Sequence, residues 1–333
     1  MNAFTRLGTL ALTLASGTTF GNVRDFTTFS FSQVAPRDQV TFDVQTLLGS
    51  QRTTINDLRS NGESSFYSLS GIYRLSTYLH AGLEYQNNLT SGISRDIFTE
   101  TPQVPTEISL NSQKERESIV TGFLGFSIPV ARGRFLFSYS LDQTTLEEET
   151  INRFYNGATL TRETREESDF TLRQHRFGAA FRQGNGLLGA DFAPSARTGN
   201  ELDRNYAPRL LMLFANANIM SNMQLGASAT QLRYDNLDAG FAPPAKDYNI
   251  YKIATHYRWS NKFVSTQLAI QDAPIFNTSD YQYYDLSTYI GMQASRDLEV
   301  GARLGYNYLG YKQETLTVLT RTTGLGLEAR FQM

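Results

Sequence analysis

Few residues in this chain have the chemistry of a nucleophile, a base or a metal ligand. The 333 residues include three histidines, His80, His175 and His256, and no cysteine. Without cysteine there is no disulfide, no thiolate metal site and no thiol nucleophile. A histidine base needs a carboxylate or hydroxyl within hydrogen-bond reach, and the sequence shows no evident Asp-His or Ser-His constellation. The densest carboxylate cluster is Glu147, Glu148, Glu149, Glu163, Glu166 and Glu167, interleaved with Arg153, Arg162 and Arg165. It lacks the turn glycine of a calcium loop. An enzyme is therefore the least favoured reading, and neither cofactor nor metal is expected.

The other charged residues of interest obey a pattern. Glu84, Asp142, His256, Arg258, Glu299, Arg303, Glu328 and Arg330 fall on the polar row of segments in which apolar and polar positions alternate. Alternation of period two places the two sets of side chains on opposite faces of a strand. Both signs of charge occur on that row. This suits a wet interior better than a dry core, where each ion would need a partner.

The segments that must carry these residues begin at about residue 38. Val40, Phe42 and Val44 alternate with polar residues, as do Leu79, Ala81, Leu83 and Tyr85. Phe135, Phe137 and Tyr139 share one parity. So do Leu211, Leu213 and Ala215, then Tyr251, Ile253 and Tyr257, and finally Leu325, Leu327, Ala329 and Phe331. Short links near 76–77, 129–133, 183–186, 221–222, 260–262 and 295–297 alternate with long polar links near 49–63, 89–116, 145–167, 194–206, 235–247, 272–280 and 311–316. Sorting of connections by length onto two ends is the habit of outer-membrane barrels, with short periplasmic turns and long external loops. About 14 strands fit (12–16), the even count that such a barrel requires.

Composition agrees. The 30 Lys plus Arg nearly balance the 32 Asp plus Glu, which excludes a general nucleic-acid binder. Mean hydropathy is −0.35, and no apolar run of about 18 residues could cross a bilayer as a helix. Barrel strands are apolar only at alternate positions, so a barrel can have a polar average. Residues 1–21 read as a secretory signal, with a basic start, a short apolar stretch and small residues. Residues 22–37 read as a periplasmic segment or an extra strand, and 38–333 as the barrel.

Aromatic residues fall at two depths. Tyr73, Tyr78, Phe126, Phe135, Trp259, Phe263 and Phe331 lie near short links. Tyr67, Tyr85, Tyr234, Tyr248, Tyr284, Tyr308 and Tyr311 lie near long ones. Two interfacial girdles are the expectation, because such side chains pair an apolar body with a polar tip. A membrane placement also requires closure, since in hydrocarbon every backbone N–H and C=O must pair within the protein.

With its signal, its paired hairpins and the C-terminal strand Gly324-Leu-Gly-Leu-Glu-Ala-Arg-Phe-Gln-Met333, the chain resembles the Gram-negative outer-membrane porin-like barrels. The resemblance implies that Gly326 and Phe331 belong to an assembly signal read by the barrel-assembly machinery. It also implies contact with outer-membrane lipid and lipopolysaccharide, and leaves monomer and trimer open. The leading functional expectation is passive diffusion of small hydrophilic solutes through a lumen lined by the eight residues above. A loop carrying Glu147, Glu148, Glu149 and Arg153 would narrow it, setting an acidic surface against Arg258 and Arg303. Two alternatives stand: a transporter of lipophilic compounds and a structural or interaction barrel. The first would need an apolar lumen patch and an N-terminal plug, and the mixed-charge row weighs against the patch.

Overall fold

A computed structural model describes residues 40–55, 58–98, 107–156, 159–195, 209–233, 247–272, 281–313 and 316–332. The segments read as signal and N-terminal segment, 1–21 and 22–37, lie outside these residues.

Fourteen antiparallel strands form one closed barrel in the described residues, each strand beside its sequence neighbours and the last beside the first. They are β1 Val40–Ile55, β2 Leu58–Arg74, β3 Leu79–Phe98, β4 Glu107–Val130, β5 Gly133–Asn156, β6 Thr159–Gln183, β7 Gly186–Ala193, β8 Arg209–Met220, β9 Met223–Arg233, β10 Asp247–Trp259, β11 Lys262–Asp272, β12 Tyr281–Gln293, β13 Leu298–Gln313 and β14 Leu316–Gln332. The strand number is that read from the sequence, and the six short links are the hairpin turns at one end. Gly184 supplies the positive φ of 53° that its tight turn requires.

The barrel is inside out relative to a soluble protein. Leu48, Leu83, Leu188, Leu213, Leu325 and Leu327 are each more than half exposed on the outer surface. Their partners in alternation, such as Asp43, Gln45, Ser68, Asn307 and Thr322, are buried within. The outer surface offers apolar side chains to a surrounding apolar medium, and closure leaves no ladder edge in that belt.

The seam joins β1 to β14, with Leu47 opposite Gly326 and Phe42 opposite Phe331. Gly326 has a local reason to be glycine. A Cβ there would lie 2.0 Å from the Thr46 carbonyl oxygen. Phe331 stands in the outer row at the short-turn end.

The largest correction concerns the long polar links. Glu147, Glu148, Glu149 and Arg153 are not in a loop. They lie within β5, which pairs out to Asn156 with β4 in unbroken register and with β6 across one register shift at Phe154/Tyr155. Residues 89–98 and 107–116 are likewise strand. The constriction loop expected from these residues is instead part of a tall wall. β3 to β6 run for 20, 24, 24 and 25 residues, whereas β7 to β12 run for 8 to 13. About 9–11 residues cross a bilayer. The four long strands therefore project well beyond it on one side only. β6 pairs with β7 only from Phe177 to Gln183.

That wall is held by cross-strand charges. Arg116 faces Glu147 at 3.5 Å, Arg153 faces Glu163 at 2.8 Å, and Arg165 reaches both Glu149 at 2.8 Å and Glu167 at 2.7 Å. Glu149 and Glu167 are direct cross-strand neighbours, a repulsive pairing that the Arg165 guanidinium relieves. The hydrogen bond and charge of Glu163 raise Arg153 above the ordinary guanidinium range.

Candidate functional site: a two-faced lumen

All eight expected lumen residues fall on the inward row. Glu84, Arg303 and Glu328 are buried, Asp142, His256, Glu299 and Arg330 are half-buried, and Arg258 is exposed near the short-turn end. The fold brings five of them together on one side. The Arg303 guanidinium donates to Glu328, and Arg330 donates to Asp43 of β1 at 3.1 Å, with Glu328 at 3.9 Å. Arg258 donates to Glu299 at 2.7 Å. Three arginines thus meet three carboxylates across β10, β13, β14 and β1, so the network carries no net charge. Aromatic faces support it: Arg303 lies 5.9 Å from the Tyr289 ring centre and Arg258 5.7 Å from that of Phe263. Asp43, Tyr289 and Phe263 were not among the expected lumen residues.

Glu84 and Asp142 belong to the opposite wall. Glu84 accepts a hydrogen bond from Gln86. Nearby on that wall Arg176 pairs with Asp191 at 2.7 Å.

Below the Arg176–Asp191 pair the wall changes character. Leu136 of β5, Ala180 of β6, Leu187 of β7, and Met212 and Phe214 of β8 all point inward and form one buried apolar cluster, flanked by Leu210. Gly189 makes room for it. The Phe214 ring lies where a Gly189 side chain would be, 2.3 Å from the Cβ position, with the Ala180 methyl at 2.6 Å. Ion pairs on β10–β1 therefore face an apolar patch on β5–β8. The alternation in the sequence did carry a sign of this patch. Leu210 to Phe214 is apolar at both parities, as is Leu187-Leu188, so both faces of those strands must be apolar.

Two girdle assignments change. Phe263 is 3% and Tyr248 is 1% exposed, and both face the lumen. A two-residue turn pairs Trp259 with Lys262, so Phe263 falls on the inner parity while Trp259 stays outside. Tyr248 shares the parity of buried Lys252. Tyr234 lies outside the described residues, and the side chain of Tyr311 is not among those described. Several of the other aromatics on the outer row pack in pairs. Tyr284 stacks on Tyr308 at 4.6 Å, Tyr67 meets Tyr85 at 5.8 Å, and Tyr257 stacks on Trp259 at 5.7 Å.

Two of the three histidines, His256 and His175, have hydrogen-bond partners that the sequence did not reveal. His256 Nδ1 and Ser265 Oγ are 2.7 Å apart across the β10–β11 hairpin. Among the described residues no carboxylate hydrogen-bonds the other ring nitrogen, and the ring packs on Phe263 at 5.5 Å. A hydroxyl–imidazole pair without an orienting acid lacks the third member of a nucleophilic constellation. His175 faces outward and bonds the Tyr139 hydroxyl at 2.8 Å. No cluster of three or more potential metal ligands occurs in the described residues.

No family model and no curated protein sequence matches the chain. Solved structures do. The deltaS2S3 mutant of the monoaromatic hydrocarbon channel TodX aligns over 94% of this chain and 95% of its own, with a TM-score of 0.68 at 11% identity. The Pseudomonas putida toluene transporter TodX aligns over 93% of each chain (TM-score 0.62, 12% identity). A Pseudomonas aeruginosa FadL homologue covers 88% of this chain and 90% of its own (TM-score 0.63, 12% identity). The chain thus has the fold of outer-membrane barrels of the FadL and TodX kind, a closed antiparallel barrel of fourteen strands.

Proposed function

We propose that this chain is an outer-membrane channel for small hydrophobic compounds, exported through the periplasm, with its short turns on the periplasmic side. The observation that carries the reading is the inward apolar cluster of Leu136, Ala180, Leu187, Met212 and Phe214. A lumen built only for hydrated solutes gains nothing from an apolar wall. A hydrophobic solute gains about 25 cal/mol for each Å² of apolar surface it buries there. Likeness in fold to a toluene transporter and a monoaromatic hydrocarbon channel supports the same reading. The expectation of hydrophilic diffusion gives way to the lipophilic alternative, because the patch that the alternative required is present. The ion-paired wall opposite would then hold the barrel's shape, its charges being mutually neutralised. Assembly through Gly326 and Phe331, and contact with lipopolysaccharide at the long-loop end, are parts of the same proposal.

The test is uptake of radiolabelled toluene by cells that depend on this chain for it, paired with single-channel recording of the purified protein. Toluene uptake above that of a vector control, with no steady ohmic steps, is expected. Met212→Glu should lower the uptake, with heat-modifiable migration on gels checking that the barrel has folded. Large ohmic steps without any toluene advantage would return the reading to hydrophilic diffusion.

A further inference from the structure

At the seam, the outer row carries two arginines that no described residue neutralises. Arg52 of β1 and Arg321 of β14 are direct cross-strand neighbours. Both are exposed, and neither forms an ion pair with a described residue. Like charges directly opposite one another destabilise a ladder. Three other such pairs stand on the outer row of the described residues, and each has an opposite charge at hand. Arg165 serves Glu149 and Glu167, Arg116 meets Glu147 opposite Asp169, and Asp247 lies 3.8 Å from Arg233 opposite Arg209. Near Arg52 the outer row has Glu63, but it faces Ser50, two residues nearer the short-turn end, and reaches neither arginine.

The height of the pair is set by the apolar row beside it. Phe42 opposite Phe331 begins that row at the short-turn end, Val44, Leu48, Leu327 and Leu325 continue it, and Ser50 opposite Thr323 ends it. Ten positions separate Phe42 from Arg52, and ten separate Phe331 from Arg321. About 9–11 residues of tilted strand cross the hydrocarbon of a bilayer. The two guanidinium groups therefore stand at the headgroup level of the leaflet on the long-strand side.

Further donors lie beside them on the same face. Tyr308 of β13 is the cross-strand neighbour of Arg321 on its other side, and its ring stacks on Tyr284 with an interplanar angle of 8°. Tyr308 leans across Gly310, where a Cβ would lie 3.0 Å from the phenol oxygen. Its hydroxyl makes no hydrogen bond with a described residue. Lys312, exposed and without an ion pair among the described residues, follows Gly310 on the outer row. Two guanidinium groups, an ammonium and a phenol hydroxyl thus border one strip of β13, β14 and β1.

From this arrangement we infer that the strip binds one lipopolysaccharide molecule, with a phosphate of its glycolipid anchor held between Arg52 and Arg321 and with Tyr308 and Lys312 donating to the sugar that carries it. The inference rests on the membrane placement and orientation proposed above, and it gives the lipopolysaccharide contact named there a site. It does not depend on the transported solute. A guanidinium fork matches a phosphate geometrically and forms charge-assisted hydrogen bonds with it. An anion between the two arginines also removes the repulsion that the described residues leave uncompensated. A glycolipid rather than a phospholipid is specified because the donors spread over three strands, about 10 Å at the usual strand spacing. A lone phosphodiester engages the two arginines, and the remaining donors suit sugar hydroxyls. Acyl chains would lie along the apolar row from Leu48 and Leu325 downward, where van der Waals packing is the available attraction.

The test is native mass spectrometry of the full-length protein released from detergent, titrated separately with lipid A (the phosphorylated glycolipid anchor of lipopolysaccharide), with dephosphorylated lipid A and with phosphatidylglycerol. Heat-modifiable migration on gels establishes separately that the barrel has folded. One retained lipid A, held roughly tenfold or more above its dephosphorylated form, is expected from charge-assisted bonds of this kind. Arg52→Gln with Arg321→Gln should erase that preference, whereas Arg132→Gln in a turn at the opposite end should leave it intact. Equal retention of the two forms by a folded barrel would overturn the proposal, and so would a preference that survives the double variant. Phosphatidylglycerol held as firmly as lipid A would overturn the assignment to a glycolipid. A chain that never becomes heat-modifiable would remove the membrane placement itself and this proposal with it, whereas the other outcomes leave that placement standing.

Discussion

Replacing Arg303 by methionine tests the ion network where it is most buried. The Arg303 and Glu328 side chains are 6% and 5% exposed. Methionine keeps much of the aliphatic stem, so the change removes charge and hydrogen bonds more than volume. Breaking a buried pair from one side costs about 3–5 kcal/mol, because the remaining charge is left uncompensated. Here Arg330 remains 3.9 Å from Glu328, which places the cost near the lower limit. A loss of about 3 kcal/mol is roughly 150-fold in the folding equilibrium. Glu328→Met alone should cost a similar amount, since Arg303 is then stranded. The double variant should lose far less than the sum, because two apolar side chains replace a desolvated pair. The assay is urea unfolding in lipid vesicles followed by the fluorescence of Trp259, the single tryptophan. A coupling energy of about 2 kcal/mol or more is expected from the cycle. Additive single effects would refute the reasoning and mean that the two side chains are held independently.

Three further outcomes follow from the same geometry. Leu213→Arg places a charge on the outer row at a residue 56% exposed and should cost about 2–4 kcal/mol near mid-bilayer, whereas Asn216→Arg on the inner row should fold with much smaller loss; equal losses in vesicle-folding yield would reverse the facing of β8. Tyr139→Phe strips His175 of its hydroxyl partner and should cost about 1–3 kcal/mol; adding His175→Phe should restore stability, read by the same urea titration. Ser260 holds a φ of 55°, a left-handed conformation that costs a side-chain-bearing residue about 1–2 kcal/mol. Ser260→Gly should therefore raise the unfolding midpoint, and a lowered midpoint would show that the turn is not strained.

The fold was legible wherever one face of a strand was apolar and the other was not. Val40 to Val44 and Leu325 to Phe331 announced themselves, and so did the six tight turns between such runs. Residues 145–156 and 159–167 did not, because a strand polar on both faces has no alternation to read and looks like a loop. Nothing in the local spacing of Glu147 to Glu149 says that Arg116, Arg153 and Arg165 come from partner strands. The lumen's charged row was legible for the same reason as the strands. Its pairing was not, because Asp43 and Arg330 meet through closure of the barrel across nearly the whole chain. The apolar patch draws one or two residues from each of four strands. Its sign was an apolar run at both parities, which resembles a stronger outer face until the opposite row is counted separately.

The unequal strand heights have a consequence for how neighbouring molecules meet. Above Phe177, β6 has β5 as its ladder partner among the described residues, so within those residues its far side is a sheet edge rising beyond the height of β7. An exposed edge of this length is a template on which foreign strands can add. The stretch from Arg162 to Asp169 carries two guanidinium and four carboxylate groups along that edge. A second wall approaching edge to edge would bring several ions into register with ions of their own sign and strip them of water. The charges that knit the wall together would thus also oppose the zipping of one such barrel onto the next.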